Sequence, residues 1–344
     1  MRNLQKVYNV ANTSDTLDAI ETFLTLCGYP IFMSKTSFDN GNIVVARDMT
    51  NTYYWIFFAT DNFVYFTASD DFDNTKHWYN QHGAIYADLK GGDKHLAFIL
   101  PNVVAELHCN SRDNTIMFST IETSNVTRFT HSILSGQLTK YFDGWSGGLY
   151  VGGTRKALVV EQPDPTVDDD SDADGNSYLC CFESDNNTEL FMALRADIDN
   201  APTVERNYIL WATNTGYTSK NLVCSITTGR KNLALPTYYV LEGHSLLSRG
   251  YNSMTLNAIS LCMPIIFYVL RDPHVLNTYS AAGSTDIINY VNMFNMSSGR
   301  IIQSDYPVEL DKYQCVSIGK RRNASDLFGY PGLAFRQEKE SGAT

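Results

Sequence analysis

The sequence predicts an α+β fold that is mainly β: an N-terminal helix leads into an antiparallel meander or sandwich, and a second β-rich part follows. Three observations predict it. The 344 residues include 21 Tyr and 18 Phe beside many Asn, Thr and Ser, while charged residues make up only 18%. That balance favours half-buried strands and polar turns over surface helices. Helical periodicity is clear near the start. Elsewhere, short runs of high β-propensity alternate with Asn, Asp and Gly at hairpin distances.

The helix is read from Leu17, Ile20, Leu24 and Cys27, which recur on one face, with Ser14, Asp15 and Thr16 as caps and Gly28 as its stop. Ile31-Phe32-Met33, a turn at Asp39-Asn40-Gly41-Asn42, Ile43-Val44-Val45, residues 53–58 and residues 63–66 then read as meander strands. Residues 103–108 and 116–121, with a turn over 110–114, continue the rhythm, and 126–131 adds the next strand. Phe129 and His131 share one face of that strand, and Gly136 reads as a hairpin turn. The pairs Gly147-Gly148 and Gly152-Gly153 bracket Leu149-Tyr150-Val151 as permissive points in a β-sheet.

Residues 161–176, EQPDPTVDDDSDADGN, combine Pro, Gly and dense negative charge with no apolar period. They read as loop or linker. The expected organisation is a helix-plus-meander domain over 1–160, an acidic linker over 161–177, a second β-rich domain over 178–336 and a flexible tail over 337–344. In the second part, strands are expected at 178–182, 190–194, 208–211, 222–226 and 233–241. The apolar run 259–270 is too short to span a bilayer and reads as a buried strand or subunit contact. Residues 286–296 fit a short helix or a strand equally. Residues 313–318 and 330–336 close the chain as a strand and an ordered apolar segment.

A net charge of −11 disfavours nucleic-acid binding, which needs clustered cations, and Lys320-Arg321-Arg322 is too short a basic group to reverse that. It reads as an exposed turn or a contact with an acidic neighbour. The opening residues have no apolar signal core, and the seven cysteines lack paired metal spacing, so synthesis in a reducing cytoplasm is expected. The thiols are expected to be buried small hydrophobes.

Candidate chemistry is sparse. Asp170, Asp172 and Asp174 with Gly175 match the opening half of a calcium loop, but its twelfth position falls on Cys181 instead of a bidentate Glu. His77 and His82 are five apart, which puts them on different faces of a helix or strand, and His108 adjoins Cys109. Ser135, Ser146 and Ser298 sit beside glycines without a nucleophile elbow. No catalytic, cofactor-binding or metal residue is assigned, and the chain is expected not to be an enzyme.

Three stretches carry a family resemblance. The N-terminal helix ends in Leu24-Thr25-Leu26-Cys27-Gly28-Tyr29, and Ser69-Asp70-Asp71-Phe72-Asp73 precedes Trp78-Tyr79-Asn80-Gln81. The third runs through Phe129, His131, Gly136, Leu138, Lys140, Trp145, Gly147-Gly148, Tyr150-Val151 and Gly153-Thr154. Together they resemble structural proteins of tailed bacteriophage particles, over about the first 160 residues, with the acidic stretch 164–176 as a departure. The resemblance implies a virion component of the tail, neck/collar or baseplate, made in the host cytoplasm and working as one copy in a symmetric homo-oligomeric ring. Its partners would be other virion proteins and copies of itself, with no nucleic acid and no membrane. The alternative is a receptor- or glycan-binding tail-tip protein, because exposed Tyr and Trp with Asn and Asp also stack on sugars. A polysaccharide-cleaving enzyme ranks third.

Overall fold

The computed structural model describes residues 4–61, 63–82, 84, 94–99, 104–122, 130–141, 145–157, 182–183, 189–198, 207–209, 222–224, 262–272, 278–292, 298–304, 311–317 and 331–337. These residues are mostly β, with one helix near the N-terminus followed by antiparallel sheets. The order is β1 (Leu4–Val10), α1 (Thr13–Cys27), β2 (Ile31–Phe38), β3 (Gly41–Arg47), β4 (Tyr54–Ala59), β5 (Phe63–Ser69), β6 (Lys94–Ile99), β7 (Ala105–Arg112), β8 (Thr115–Glu122), β9 (Thr130–Gln137), β10 (Thr139–Lys140) and β11 (Trp145–Ala157). Then come β12 (Phe182–Glu183), β13 (Glu189–Ile198), β14 (Asn207–Ile209), β15 (Leu222–Cys224), β16 (Met263–Asp272), β17 (Thr278–Asn292), β18 (Arg300–Ser304), β19 (Asp311–Ser317) and β20 (Pro331–Arg336).

Among the described residues the first sheet runs β1-β7-β8-β9-β11-β6-β5-β4-β3-β2, with β13 also on β11 and carrying β12 and β14. The second runs β15-β16-β17-β20-β19-β18, with β10 on β17. Strands from both sides of 161–177 therefore share each sheet. Residues 161–177 themselves lie outside the described residues, as do 233–241 and 320–322.

Helix α1 starts two residues earlier than its expected caps. Asn12 is the N-cap, accepting from the Asp15 N–H at 2.8 Å, and Asp15 reaches back to the Ala11 N–H at 3.3 Å. The first bond satisfies one of the orphan donors at the helix start, and the second ties down the residue that precedes the cap. The stop is Gly28 in the left-handed conformation, as the sequence predicts. Leu17, Ile20, Phe23 and Leu24 bury the helix against Val44, Trp55 and Phe57 on one side and Leu107, Ile116 and Phe118 on the other. The Phe57 and Phe118 rings meet edge to face at 5.6 Å, and Phe23 meets Phe118 at 5.7 Å. The first sheet is thus folded over the helix, with β3–β5 facing β7–β9.

The run 53–58 is continuously apolar because β4 is buried on both faces. Trp55 and Phe57 point to the helix core, whereas Ile56 and Phe58 join Ile43, Val45 and Tyr65 in a second cluster roofed by Phe72 and Trp78. The roof segment is pinned by Gln81, whose amide accepts from the Asp73 N–H at 2.6 Å and donates to the carbonyls of Asp73, Lys76 and His77.

Several turns differ from their expected positions. The turn predicted over 110–114 narrows to Asp113 and Asn114, both at positive φ, giving the two-residue hairpin that matches strand twist. Gly136 is not a turn but stands inside β9, opposite Tyr150, where a Cβ would lie 2.6 Å from the Thr115 hydroxyl and 2.6 Å from the Tyr150 hydroxyl. The double glycines lie within the single strand β11, where Gly148 forms a bulge against β13 and Gly153 lets the β9 backbone approach closely. Three strands had no counterpart in the sequence reading: β1, β6 and β18. Of residues 286–296, which fit a short helix or a strand equally, 286–292 belong to β17, and 293–296 lie outside the described residues.

Cys27, Cys109, Cys262 and Cys315 are buried free thiols. Burial pushes the Cys27 thiol up to about 11, despite a lowering hydrogen bond from Ser111, and raises Cys109 and Cys315 further. Since the thiolate is the nucleophile, Cys27, Cys109 and Cys315 should react with a thiol reagent only after denaturation. Rapid labelling of any of them in the native protein at neutral pH, mapped by mass spectrometry, would refute this.

Candidate functional site

Strand β7 alternates faces, and its second face forms a polar seam against the second sheet. Along β7, Leu107 and Cys109 point into the helix core, which sends Glu106, His108, Asn110 and Arg112 the other way. The partner is Gln314 on β19. Its amide nitrogen donates to His108 Nδ1 at 2.9 Å, and its amide oxygen accepts from Asn110 Nδ2 at 2.6 Å. His108 Nε2 then donates to the Glu106 carboxylate at 3.0 Å.

The donors in this chain point one way, from Asn110 through Gln314 and His108 to Glu106. His108 and Gln314 are buried, while Glu106 is partly exposed. Gly299 closes over the imidazole, since a Cβ there would lie 2.8 Å from His108 Cε1. Both imidazole nitrogens are engaged, so His108 has no lone pair aimed at a substrate. The arrangement orders two sheets rather than moving a proton. Thr130 and Ser298 extend the seam with a hydroxyl contact at 3.0 Å.

A second polar centre lies between the β3–β4 and β7–β8 turns. Asp48 is fully buried. Its carboxylate accepts from the backbone N–H groups of Thr50 (3.0 Å), Thr52 (2.6 Å) and Tyr53 (3.0 Å), from the Thr50 and Thr52 hydroxyls, and from Asn114 Nδ2 at 3.0 Å. Asn114 also accepts from the Met49 N–H at 3.0 Å. Burial alone would raise the Asp48 carboxyl, but the donors from Thr50, Tyr53 and Asn114 outweigh it and hold it below its usual value.

The other residues singled out by sequence are dispersed. His77 stacks on Tyr79 at 5.5 Å and sits 3.3 Å from Asp39, whereas His82 lies 3.8 Å from Asp70. His131 is buried on β9 opposite Thr120. Ser135 is buried, accepting from the Trp55 indole at 3.0 Å and donating to the Tyr150 carbonyl at 3.0 Å. Asp170, Asp172, Asp174 and Cys181 lie outside the described residues. Among the described residues, no three His, Cys, Asp or Glu side chains gather as a metal set. No described helix is long and apolar enough to cross a membrane.

Sequence reasoning missed Asp48, Asn110, Asn114 and Gln314. One signal was present in β7, where polar residues at 106, 108, 110 and 112 alternate with Leu107 and Cys109. A strand polar on one face and apolar on the other normally reads as half solvated, and nothing local indicates that Gln314 covers it. No protein-family model matches the chain, and no curated protein matches it as a relative.

Proposed function

We propose that this chain is a structural subunit of a tailed bacteriophage particle, one copy in a symmetric ring or sleeve at the tail, neck/collar or baseplate, acting through contacts with itself and other virion proteins. The observation that carries this reading is the contrast between the two ends of the first sheet. Edge strand β2 is blunted: its pairing with β3 is twice shifted, the Lys35 N–H is capped by Glu21 at 2.9 Å, and the Lys35 ammonium is tied to Ser14 and Asp18. Bulges and an edge lysine are the usual devices against strand addition. Strand β1, by contrast, pairs with β7 in unbroken register and carries exposed Val7. Among the described residues its backbone bonds only to β7. An open, regular edge is a template for a strand from a neighbouring copy, and a head-to-tail contact of that kind generates rings.

The placement of the aromatics supports this reading over the glycan-binding alternative. Phe58, Tyr65 and Trp78 stack on one another, with Trp78 5.3 Å from each of the other two, and they are buried. Their faces are spent on the core rather than offered to a sugar.

Val7→Lys tests the proposal. The variant is expected to keep the wild-type melting temperature and far-UV spectrum, because Val7 already faces solvent, yet to assemble poorly by light scattering. A wild-type chain that stays monomeric with every candidate partner and is missing from mass spectra of purified particles would remove the structural reading.

A further inference from the structure

We propose that Cys262 and Cys315 are a redox pair that closes to a disulfide in an oxidising thiol–disulfide pool and locks the second sheet. Cys315 is on β19, and Cys262 stands one residue before β16. Though remote in the chain, they belong to one buried cluster with Val291, Ile302, Tyr313 and Ala334, and the two thiols share a hydrogen bond. A disulfide tolerates little backbone distortion, so it forms where two cysteine side chains already face each other across a short gap. This pair meets that demand. Cys27 and Cys109, the buried thiols of the first core, are committed elsewhere, the first to Ser111 and the second to the Leu107 carbonyl.

Both side chains are fully buried in the closed protein, and burial holds the Cys315 thiol well above its ordinary value. Exchange therefore takes place while the second sheet is still open, when both groups meet water and ionise as ordinary thiols. The thiolate of one cysteine attacks a small disulfide such as oxidised glutathione, expelling one glutathione thiolate and leaving a mixed disulfide. The thiolate of the other then attacks the protein sulfur of that mixed disulfide and expels the second glutathione. The cysteines together lose two protons and two electrons, and the oxidant is reduced to two thiols.

The topology sets what the bond does. It closes residues 262–315 into a loop that holds β16, β17 and β18 whole, and it ties the start of β16 to β19, which is separated from β16 in the sheet by β17 and β20. A cross-link over so long a loop restricts the unfolded chain and raises the stability of the folded one. Reduced, the second sheet is held by packing and its ladders alone. Oxidised, its two sides cannot part.

Refolding the full chain from denaturant, in a glutathione redox buffer and in parallel under excess reductant, tests the proposal. Non-reducing peptide mass mapping of the oxidised sample should show Cys262 joined to Cys315. Its melting temperature should exceed that of the reduced sample by about 5 °C, and dithiothreitol should abolish the difference. Cys262→Ser should lose both the cross-link and the redox-dependent part of the melting temperature. The proposal fails if the two thiols stay free in the oxidised sample, if they pair with other cysteines instead, or if the cross-linked and reduced chains melt alike. Should the variant not fold, the mass map and the reversal by dithiothreitol on the wild-type chain decide alone. If full refolding gives no soluble protein, the same comparison is made on native chain opened in sub-denaturing urea. Assembly plays no part in the readout, so the outcome is separate from that of the virion reading.

Discussion

Asp48→Ala should destabilise the protein by roughly 4 kcal/mol, because it strands several buried donors at once and each unsatisfied buried group costs about 1–3 kcal/mol without full additivity. The donors are the N–H groups of Thr50, Thr52 and Tyr53 and the Asn114 amide. The same carboxylate should shape the acid limb of stability. Its folded pKa is lowered, so its contribution is fully present above the unfolded value of about 4 and is lost as pH falls through the lower folded value. Denaturant melts of the wild type and Asp48→Asn at a series of pH values below neutral provide the check. The variant should be less stable at pH 7 and should lose less on acidification. Parallel acid limbs would show that Asp48 is not the group responsible.

Gly153→Ala should be nearly as damaging. Gly153 has φ 153° in the middle of β11, hydrogen-bonded to β9 on one side and β13 on the other. An added Cβ would overlap the Ser132 carbonyl oxygen and lie 3.0 Å from Ile133 Cα, both backbone atoms of β9 that cannot move without opening the ladder. A loss of about 3 kcal/mol follows from the strain and the overpacking together. Gly148, with φ 109° at a bulge, should cost about 1–2 kcal/mol on the same substitution, since the added term is mainly the left-handed backbone. Equal melting temperatures for the wild type and Gly153→Ala would contradict this account.

The parts of the fold legible in the sequence are those specified by near neighbours. The face of Leu17, Ile20 and Leu24 and the stop at Gly28 are written within one helix, and the runs of β3, β4 and β5 announce themselves because burial on both faces makes them continuously apolar. The glycine pairs are legible as permissive points, but which backbones they let lie close depends on β9 and β13, which the local sequence does not name. Strand β1 was missed because Lys6, Val7 and Asn9 face outward and blur its period. Its partner β7 begins only at Ala105. Asp48 shows both cases in one residue. Its bonds to Thr50, Thr52 and Tyr53 are a local turn pattern, whereas Asn114 arrives from a hairpin more than sixty positions away.

The strand exchange between the two sheets also bears on how the chain reaches its native state. β10 waits for β17, β11 for β13, and Asn110 for Gln314, which lies 204 positions downstream. During synthesis, the first sheet emerges with one flank of β11 lacking its β13 partner and with the polar face of β7 still in water. Such a high share of remote pairings makes folding slow and leaves strand edges available to other nascent chains in the meantime. A protein wired in this way gains from slow, cool expression and from chaperones that hold its early half apart until the last strand arrives.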